Sequence, residues 1–358
     1  MGKSQVNEAV AAEVRPSGGQ ESRSEVVVLF TCIGRRVSLL RSFQMAANRL
    51  GLRASFCGTD TTPLSPALQL CDTALLVEPT TEARYVDQLL WIVRRHAVNL
   101  LVPTIDLDLR LLAEHRGQFE ESGCRVLVSD PDVIDMCQDK RRTFGFLRKN
   151  GFGSPVTMSV RTALAADRRG ELRWPCFLKR WDGYASLGNA VAHDRGELRF
   201  FARRIPNAIC QEFVSGVEYT CDVYVDFDLH VRCVVPRRRI EVRAGEVSKS
   251  GIVKNRRIMG EAKRMVELLG AGPGVVTIQL FTTDGGEIKF TEVNPRFGGG
   301  VPLSIRAGAD FPKWVLQETT GRPPQIEFDG FTDGLMMLRY DAEVWLQDSD
   351  LKGTKVDV

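Results

Sequence analysis

The sequence predicts an α/β protein in which an N-terminal doubly wound parallel sheet precedes an α+β region. Between residues 25 and 130, short apolar strands alternate with amphipathic helices, which is the pattern of a parallel sheet covered on both faces. After Pro131, longer strands follow one another and are joined by tight turns such as Asp284-Gly285-Gly286, which is typical of antiparallel hairpins. A chain of 358 residues is long enough for two or three domains.

Five strands and three main helices are predicted in the first region from apolar runs and from helical periodicity. The loop after the first strand is a candidate ligand site, because ligands of such sheets bind beyond the carboxyl ends of the strands. It contains Gly34 alone rather than G-x-G-x-x-G, which disfavours a dinucleotide cofactor. Arg35 and Arg36 are either solvated charges or a site for an anionic substrate. The predicted strands are 25–31, 53–59, 74–77, 100–103 and 125–129, and the helices are 37–50, 85–96 and 106–121.

In the second region, one helix over residues 131–150 is predicted, because Pro131 stands at its first turn and Gly151 ends it. Lys140 lies within this helix. Strands are predicted at 175–179 and from 209 onward, where a long meander runs to Pro236. A helix at 256–269 precedes the hairpin, and a last strand with a polar end follows Phe331. These features predict a tail at 1–24 and domains at 25–130 and 131–358.

Composition excludes several functional classes. The net charge of +3 is small for this length, so the sequence does not indicate an electrostatic field that would attract nucleic acid. No apolar run approaches the ~20 residues that a membrane-spanning helix needs. Residues 1–24 resemble a disordered tail and lack a secretory signal. Nine cysteines without a CxxC pair indicate reduced thiols in the cytoplasm, and four scattered histidines disfavour a zinc site or a His-based triad. We therefore expect a cytoplasmic protein without nucleic-acid or membrane partners.

The hairpin around Asp284 groups side chains that suit a hard cation. Gln279 lies on its first strand, whereas Glu292 and Asn294 lie two residues apart on the second and share one face. Carboxylate and amide oxygens bind Mg²⁺, usually together with substrate phosphates. Arg296 follows on the same side, and a guanidinium beside a cation site suggests phosphate chemistry.

Three sequence blocks together resemble the ATP-grasp superfamily, especially the branch of carboxylate–amine ligases similar to the large subunit of carbamoyl-phosphate synthase. They are P-x-x-L-K at 175–179, Q-E-F-V-x-G-x-E-Y-T at 211–220 and E-V-N-P-R-F-G-G-G at 292–300. No P-loop motif occurs. The resemblance spans residues 26–325. It implies a pre-ATP-grasp N-terminal domain followed by a two-lobed ATP-grasp module with a lid at about 155–211.

The resemblance implies that Lys140 and Lys179 contact phosphates under a mobile loop at 182–188. Glu212, with the backbone after it, would bind adenine, and Glu218 would hold the ribose hydroxyls. The residues implied to contact ATP are Lys140, Lys179, Gly183, Ser186, Glu212, Phe213, Val214, Glu218, Gln279 and Glu292.

Gln279, Glu292 and Asn294 would hold Mg²⁺, and Mn²⁺ suits the same oxygens. Lys179 and Arg296 would act in catalysis, with Arg296 on the γ-phosphate or the acyl phosphate. Many members of the superfamily have a carboxylate at the position of Gln279, and a neutral ligand there is similar to the carbamoyl-phosphate-synthase type.

Two further arginines are candidates for the substrate. Arg237 belongs to a basic stripe after the meander, which is either a solvated face or a site for phosphate or carboxylate. Arg306, in the helix after the glycine run, is a candidate for the substrate carboxylate.

The resemblance implies an ADP-forming ligase that activates a carboxylate as an acyl phosphate for attack by an amine. The partners would be a small-molecule carboxylate and amine, and a homodimer stays open. One alternative is an enzyme that activates bicarbonate. Another is a nucleotide-binding regulatory protein without catalysis. Near-neutral charge disfavours a nucleic-acid binder.

Overall fold

The computed structural model describes residues 26–183, 188–243 and 245–358. Their strands form one six-stranded parallel sheet, one six-stranded antiparallel sheet and one four-stranded antiparallel sheet. The predicted α/β class, with a parallel sheet followed by two antiparallel lobes, is confirmed. Ser186 lies outside the described residues. Within the described ranges, no helix is long and apolar enough to cross a membrane.

The parallel sheet belongs to the N-terminal region and is doubly wound. Every residue of its first strand is buried, because helices cover both faces of the sheet. Its order reverses between the first and fourth strands, which are neighbours in the middle of the sheet, so the switch point lies at the carboxyl ends of these two strands. In chain order the elements are β1 (Val26–Thr31), α1 (Val37–Leu50), β2 (Ala54–Asp60), α2 (Pro66–Gln69), β3 (Thr73–Leu76), α3 (Tyr85–His96), β4 (Leu100–Pro103), α4 (Leu109–Glu114), α5 (Arg116–Glu121) and β5 (Arg125–Val126).

The four-stranded sheet follows two short helices and has the order β6-β9-β7-β8. All its pairings are antiparallel. Its two helices pack on a small core of their own. The elements are α6 (Pro131–Gln138), α7 (Lys140–Lys149), β6 (Thr157–Ser159), α8 (Val160–Arg168), β7 (Cys176–Arg180), β8 (Ala190–Ala192), α9 (Arg195–Arg204) and β9 (Ala208–Glu212).

Two of the predicted helices are each divided in the structure. The helix expected over 106–121 breaks at His115 into α4 and α5. The helix expected over 131–150 breaks at Asp139, whose backbone is extended and whose side chain accepts a hydrogen bond from the amide of Arg141. Asp139 therefore caps a new helix, because a capping carboxylate satisfies an amide that the first turn leaves free. Lys140 is placed at the start of α7 rather than within a continuous helix.

The large antiparallel sheet has the order β14-β13-β10-β11-β12-β15. Its last two long strands form the predicted hairpin, with Gln279 directly opposite Glu292 and Thr277 opposite Asn294. The elements are β10 (Val217–Val225), β11 (Val231–Arg243), β12 (Glu246–Ile252), α10 (Arg256–Leu269), β13 (Gly274–Thr282), β14 (Ile288–Asn294), α11 (Val301–Arg306), α12 (Phe311–Thr319), β15 (Met336–Leu338), a 3₁₀ turn at Asp348–Asp350 and β16 (Thr354–Lys355).

The C-terminal strand β16 does not join the large sheet but pairs in parallel with β3 of the N-terminal sheet. Two buried glutamine side chains hold this segment. The Gln69 amide donates to the carbonyl of Lys352 (2.8 Å) and accepts from its N–H (2.9 Å). Gln88 donates to the carbonyl of Val356 (2.6 Å). The residues after Phe331 therefore contribute to two sheets: β15 lies beside β12 in the large sheet, whereas β16 lies at the edge of the N-terminal sheet.

One hydrophobic core joins the N-terminal sheet to the large sheet. Phe43 of α1 contacts Phe30 of β1 edge to face, with ring centroids 5.1 Å apart, and Phe297 on its other side at 5.8 Å. Aromatic edge-to-face pairs add to the free energy gained by apolar burial. The loop after β14 is thereby fixed against the N-terminal domain.

Candidate active site

The candidate site consists of two neighbouring cavities, one of about 380 Å³ and one of about 300 Å³. Gln279, Glu292 and Arg239 line both cavities and so form the wall between them. The first cavity lies between the four-stranded sheet and the large sheet. It is lined by Lys140, Pro155, Phe177, Lys179, Arg180, Gly183, Asn189, Gln211, Glu212, Phe213, Val214, Glu218, Arg239, Val242, Gln279, Phe281, Thr291 and Glu292.

The predicted metal ligands are brought together by the register of the hairpin. Gln279 and Glu292 are opposite residues on β13 and β14. Asn294, two residues beyond Glu292, lies on the same face and lines the second cavity. Within the described residues, no cluster of three or more His, Cys, Asp or Glu side chains could hold a metal by itself. The three side chains supply one negative charge, so a cation here would need further oxygens from a bound phosphate.

Lys179 and Lys140 both face the first cavity and are almost fully buried, at 7 % and 8 % exposure. Lys179 is on β7 and Lys140 begins α7. Lys140 Nζ donates to the carbonyl oxygen of Gly183, and its backbone N–H donates to the carbonyl oxygen of Trp181 (3.0 Å). These bonds tie the break before α7 to the loop that follows β7.

Burial lowers the pKa of the Lys179 ammonium to about 8; the Glu292 carboxylate opposes this shift and the Lys140 charge adds to it. A buried amine that is half neutral near pH 8 is poised to take up a proton when an anion binds beside it. The two lysines are thus placed to meet phosphate oxygens next to the oxygen cluster of the hairpin.

The lowered pKa of Lys179 predicts a pH-dependent affinity for an anionic nucleotide. Above pH 8 the free protein holds a neutral amine, so binding requires proton uptake, and the KM for ATP is expected to rise by up to about tenfold per pH unit. The measurement is the KM for ATP between pH 7 and 10 in Lys179→Met and wild-type protein. The variant should have a raised KM with no such rise, whereas Lys263→Met on α10 should keep the wild-type profile. A flat profile in the wild type would contradict the prediction.

The far end of the first cavity is formed by the segment that joins β9 to β10. The Glu212 carboxylate pairs with Lys289 Nζ (2.5 Å) and accepts from the amide of Val156 (3.2 Å). The sequence expects Glu212 itself to bind adenine together with Phe213 and Val214. In the structure its carboxylate is already paired, whereas Phe213 and Val214 line the cavity.

Glu218 is the second residue of β10 and forms an ion pair with Arg239 Nε (3.0 Å). Both side chains line the first cavity. Arg239 also lines the second cavity, so this pair stands between the two spaces. A carboxylate at this position can accept hydroxyl hydrogen bonds from a ligand if its partner arginine moves aside.

Arg296 connects the hairpin to the N-terminal domain. Its Nη2 pairs with Asp106 Oδ2 (2.6 Å), in the loop after β4, and its Nη1 donates to the carbonyl of Phe297 (3.3 Å). Within the described residues, its Nε is buried without a hydrogen-bond partner. Arg296 lines the second cavity together with Glu292 and Asn294.

Arg237 is 1 % exposed and pairs with the buried carboxylate of Asp222 through Nε (2.7 Å) and Nη2 (2.9 Å). Ser304 Oγ donates to the same carboxylate (2.6 Å). Arg237 thus lines the second cavity as a fixed group and not as part of a solvated stripe.

Arg306 is not brought to this site. It lines a separate cavity between α1, α11 and α12, together with Arg41 and Lys313. Arg306 is the last residue of α11, whereas the glycine run precedes the first residue of this helix. The sequence expectation that Arg306 meets the substrate carboxylate is not supported by this position.

The sequence does not place Arg36, Arg239 and Asp106 beside the hairpin, although it offers Arg36 as a candidate for binding an anionic substrate. They come from the loops after β1 and β4 and from β11, and only the folded chain brings them to Glu292. The double arginine after the first strand was the available signal for Arg36. The basic stripe after the meander, to which Arg237 also belongs, was the available signal for Arg239, whereas Asp106 had no local signal.

Two family models match the chain in the same order as the two parts of the fold. The model of the PylC-like N-terminal domain matches residues 28–127, and the model described as ATP-grasp in the biosynthetic pathway with Ter operon matches residues 204–338. Together with the fold, the two matches confirm the resemblance to the ATP-grasp superfamily that the sequence indicates. Residues 28–127 are similar to PylC-like N-terminal domains, and residues 204–338 are similar to ATP-grasp domains.

Similar proteins extend over most of the chain. A formate-dependent phosphoribosylglycinamide formyltransferase from Synechococcus sp. (strain CC9605) is 25% identical over 291 residues, which are 73% of this chain and 69% of that protein. The biotin carboxylase domain of 2-oxoglutarate carboxylase from Hydrogenobacter thermophilus, solved with MgADP and bicarbonate, has a TM-score of 0.68 at 14% identity over 88% of this chain and 74% of its own. An L-amino acid ligase from Bacillus licheniformis has a TM-score of 0.61 at 18% identity over 84% and 75%. These structures share the fold.

Proposed function

We propose that the protein is an ADP-forming ligase that activates a carboxylate as an acyl phosphate for attack by an amine. The observation that carries this proposal is the wall shared by the two cavities. Glu292 and Gln279 face a lysine-lined space on one side and an arginine-lined space on the other. With one cation bound at this wall, a triphosphate can occupy the first cavity and a carboxylate the second.

The first cavity is the proposed ATP site. Phe213 and Val214 would offer backbone groups to adenine, and Glu218 would accept from the ribose hydroxyls. Lys140 and Lys179 would neutralise the phosphates, since both ammonium groups are buried beside Glu292. Its volume of about 380 Å³ lies within the ordinary range of ligand pockets.

Gln279, Glu292 and Asn294 are the proposed ligands of Mg²⁺, with Mn²⁺ as a substitute to be tested. When bound, the cation would act as a Lewis acid on the phosphate oxygens. The protein's own residues place the carboxylate: Arg296 is held by Asp106 and faces the second cavity beside Asn294. A fixed guanidinium neutralises an acyl phosphate without reorganising during the reaction.

The proposed chemistry has two steps. A carboxylate oxygen attacks the γ-phosphorus, the bond from phosphorus to the β,γ-bridging oxygen breaks, and ADP leaves with both electrons of that bond. The amine nitrogen then attacks the acyl carbon, the carbon–oxygen bond to phosphate breaks, and the nitrogen releases its proton. The chain contributes position and charge, which is how phosphoryl transfer is ordinarily catalysed.

Bicarbonate activation remains the alternative, and the carboxylase among the similar structures motivates it. The second cavity, at about 300 Å³, has far more space than a four-atom acid fills, so an organic carboxylate fits it better. A catalytically silent nucleotide binder is disfavoured because Lys140, Lys179 and Glu292 are all in place at the first cavity.

The test is ADP release by the purified protein with Mg²⁺, across a panel of carboxylic acids and amines with bicarbonate as a separate arm. Hydroxylamine in each reaction traps an acyl phosphate as a hydroxamate, which mass spectrometry identifies. We expect release only with an organic acid. Release with bicarbonate alone would favour the alternative, and tight ATP binding without turnover across the panel would favour the silent binder. Sedimentation of the same sample decides between a monomer and the homodimer that the sequence leaves open.

A further inference from the structure

We propose that the activated acid carries a second anionic group, which binds where the N-terminal parallel sheet reverses its strand order. This inference rests on the proposed function and names the substrate class that it acts on. The anionic group is a carboxylate or a phosphate. The substrate would then be a dicarboxylic or a phosphorylated acid and not a simple monocarboxylate.

The second cavity extends beyond the wall that it shares with the first cavity. A third cavity of about 190 Å³ continues from it toward Ser38 at the start of α1. The two cavities form one cleft, which runs from Glu292 and Asn294 to the loops that follow β1 and β4. They share Arg35, Arg36, Ile105, Glu246, Gly298 and Gly299.

The cleft contains more guanidinium groups than one carboxylate needs. Five arginines and three carboxylates line the second cavity, which is the part of the cleft beside Glu292 and Asn294. Two of the arginines, Arg237 and Arg296, stand beside the hairpin and are held by Asp222 and Asp106. Arg35 and Arg36 line the same cleft from the loop after β1.

Buried donors without acceptors point to a ligand near the hairpin. Within the described residues, Arg237 Nη1 and Arg296 Nε are buried without a hydrogen-bond partner. A Cβ atom on Gly300 would come within 2.3 Å of Arg237 Nη1, so only glycine leaves room for this guanidinium. Leaving a buried donor unpaired is unfavourable, which favours a carboxylate beside these two arginines, both of which line the cleft. The reacting carboxylate is therefore assigned to the end of the cleft near the hairpin.

Arg36 lies at the proposed site of the second anionic group. Its Nη2 donates to the carbonyl of Thr104 (3.1 Å), whereas its Nη1 is 3.8 Å from Glu246 Oε1. The other oxygen of Glu246 already accepts from Arg339 Nη1 (2.8 Å). Burial, followed by repulsion from Arg296, lowers the pKa of Arg36. Arg36 and Arg296 line the same cleft, and two guanidinium groups that repel each other favour an anion between them.

The surroundings of Arg36 are those of an anion site in a doubly wound sheet. It lies in the loop between β1 and α1, at the switch point between β1 and β4, where ligands of such sheets bind. The helix that begins after it, α1, has 14 residues, no acidic residue in its first turn and no side-chain cap. The positive end of that helix therefore adds to Arg35 and Arg36.

The experiment compares acids that differ in one charge. ADP release and hydroxamate formation are measured with glutarate, 4-phosphonobutyrate and their uncharged-end counterpart glutaramate. We expect kcat/KM to be at least about tenfold higher for one of the dianions, because charge-assisted hydrogen bonds to arginine are strong. Whether glutarate or 4-phosphonobutyrate is preferred distinguishes a carboxylate site from a phosphate site.

Arg36→Gln should raise the KM for the preferred dianion by about tenfold to a hundredfold, with a much smaller effect on glutaramate and on kcat. Arg35→Gln, at an exposed position of the same loop, serves as a second variant should Arg36→Gln fail to fold. Arg41→Gln is the matched control, because Arg41 is also on α1 but lines the separate cavity beside Arg306. It should leave the preference unchanged.

Equal kcat/KM for the dianions and glutaramate, or a preference that survives both variants, would overturn the inference while the ligase proposal stands. A rise in the KM for ATP rather than for the acid would also overturn it, since Arg36 would then serve the nucleotide. Thermal stabilisation without ATP is a readout that does not need turnover. Stabilisation by a dianion that is lost in Arg36→Gln, without ADP release from any acid, would support the site and contradict the ligase.

Discussion

Glu292→Gln is expected to reduce ADP release on the order of 100-fold or more while the protein stays folded. The substitution keeps the size of the side chain and removes the single negative charge of the oxygen cluster formed with Gln279 and Asn294. A site with one carboxylate has no second charge to retain a divalent cation, so the loss should fall mainly on metal-dependent turnover. The measurement is the initial rate of ADP release as a function of Mg²⁺ concentration.

Glu287→Gln is the matched control for this prediction. Glu287 precedes β14 in the same hairpin, and its side chain is 70% exposed. It should change neither the rate nor the dependence on Mg²⁺. Full turnover in Glu292→Gln at ordinary Mg²⁺ would remove the hairpin from the reaction and with it the observation on which the proposed function depends.

Arg237→Leu is expected to destabilise the protein by about 3–5 kcal/mol, because it leaves the buried Asp222 carboxylate without its positive partner. Ser304 alone cannot neutralise that charge. The free energy of unfolding is measured by urea denaturation. The exposed neighbour Arg238→Leu is the control and should change it by less than about 0.5 kcal/mol.

Adding Asp222→Asn to Arg237→Leu should recover part of the lost stability, because the uncompensated charge is then removed. If the single and double variants are equally unstable, the loss arises from the cavity left by the guanidinium and not from the charge. An unchanged urea midpoint in Arg237→Leu would show that Arg237 is not a fixed buried group.

The sequence predicted those parts of the fold that local patterns determine. The helices at Val37–Leu50, Tyr85–His96 and Arg256–Leu269 have the predicted bounds, because their apolar residues repeat with helical period over three or more turns. The break at Asp139 was missed. It depends on a capping bond to Arg141 and on the bond from Lys140 to Trp181, and the second partner is distant in sequence.

The same distinction applies to the site. Gln279, Glu292 and Asn294 meet because strand spacing and a tight turn place them, and both are readable from a short segment. The pairing of Arg296 with Asp106 joins residues 190 positions apart, and that of Arg237 with Asp222 depends on the register of β10 and β11. Periodicity carries no information on such pairs. The position of Arg306 in a separate cavity and the proposed role of Arg36 could therefore be recognised only from the fold.

The pairing of β16 with β3 has a consequence for biosynthesis. On the nascent chain, the outer edge of β3 stays unpaired until Thr354–Lys355 have been synthesised, although the other strands of that sheet are made early. An open strand edge is a template for association with other chains. A truncation before Lys352 would leave this edge, together with the side-chain amides of Gln69 and Gln88, without its cover, and such a fragment would be prone to aggregate.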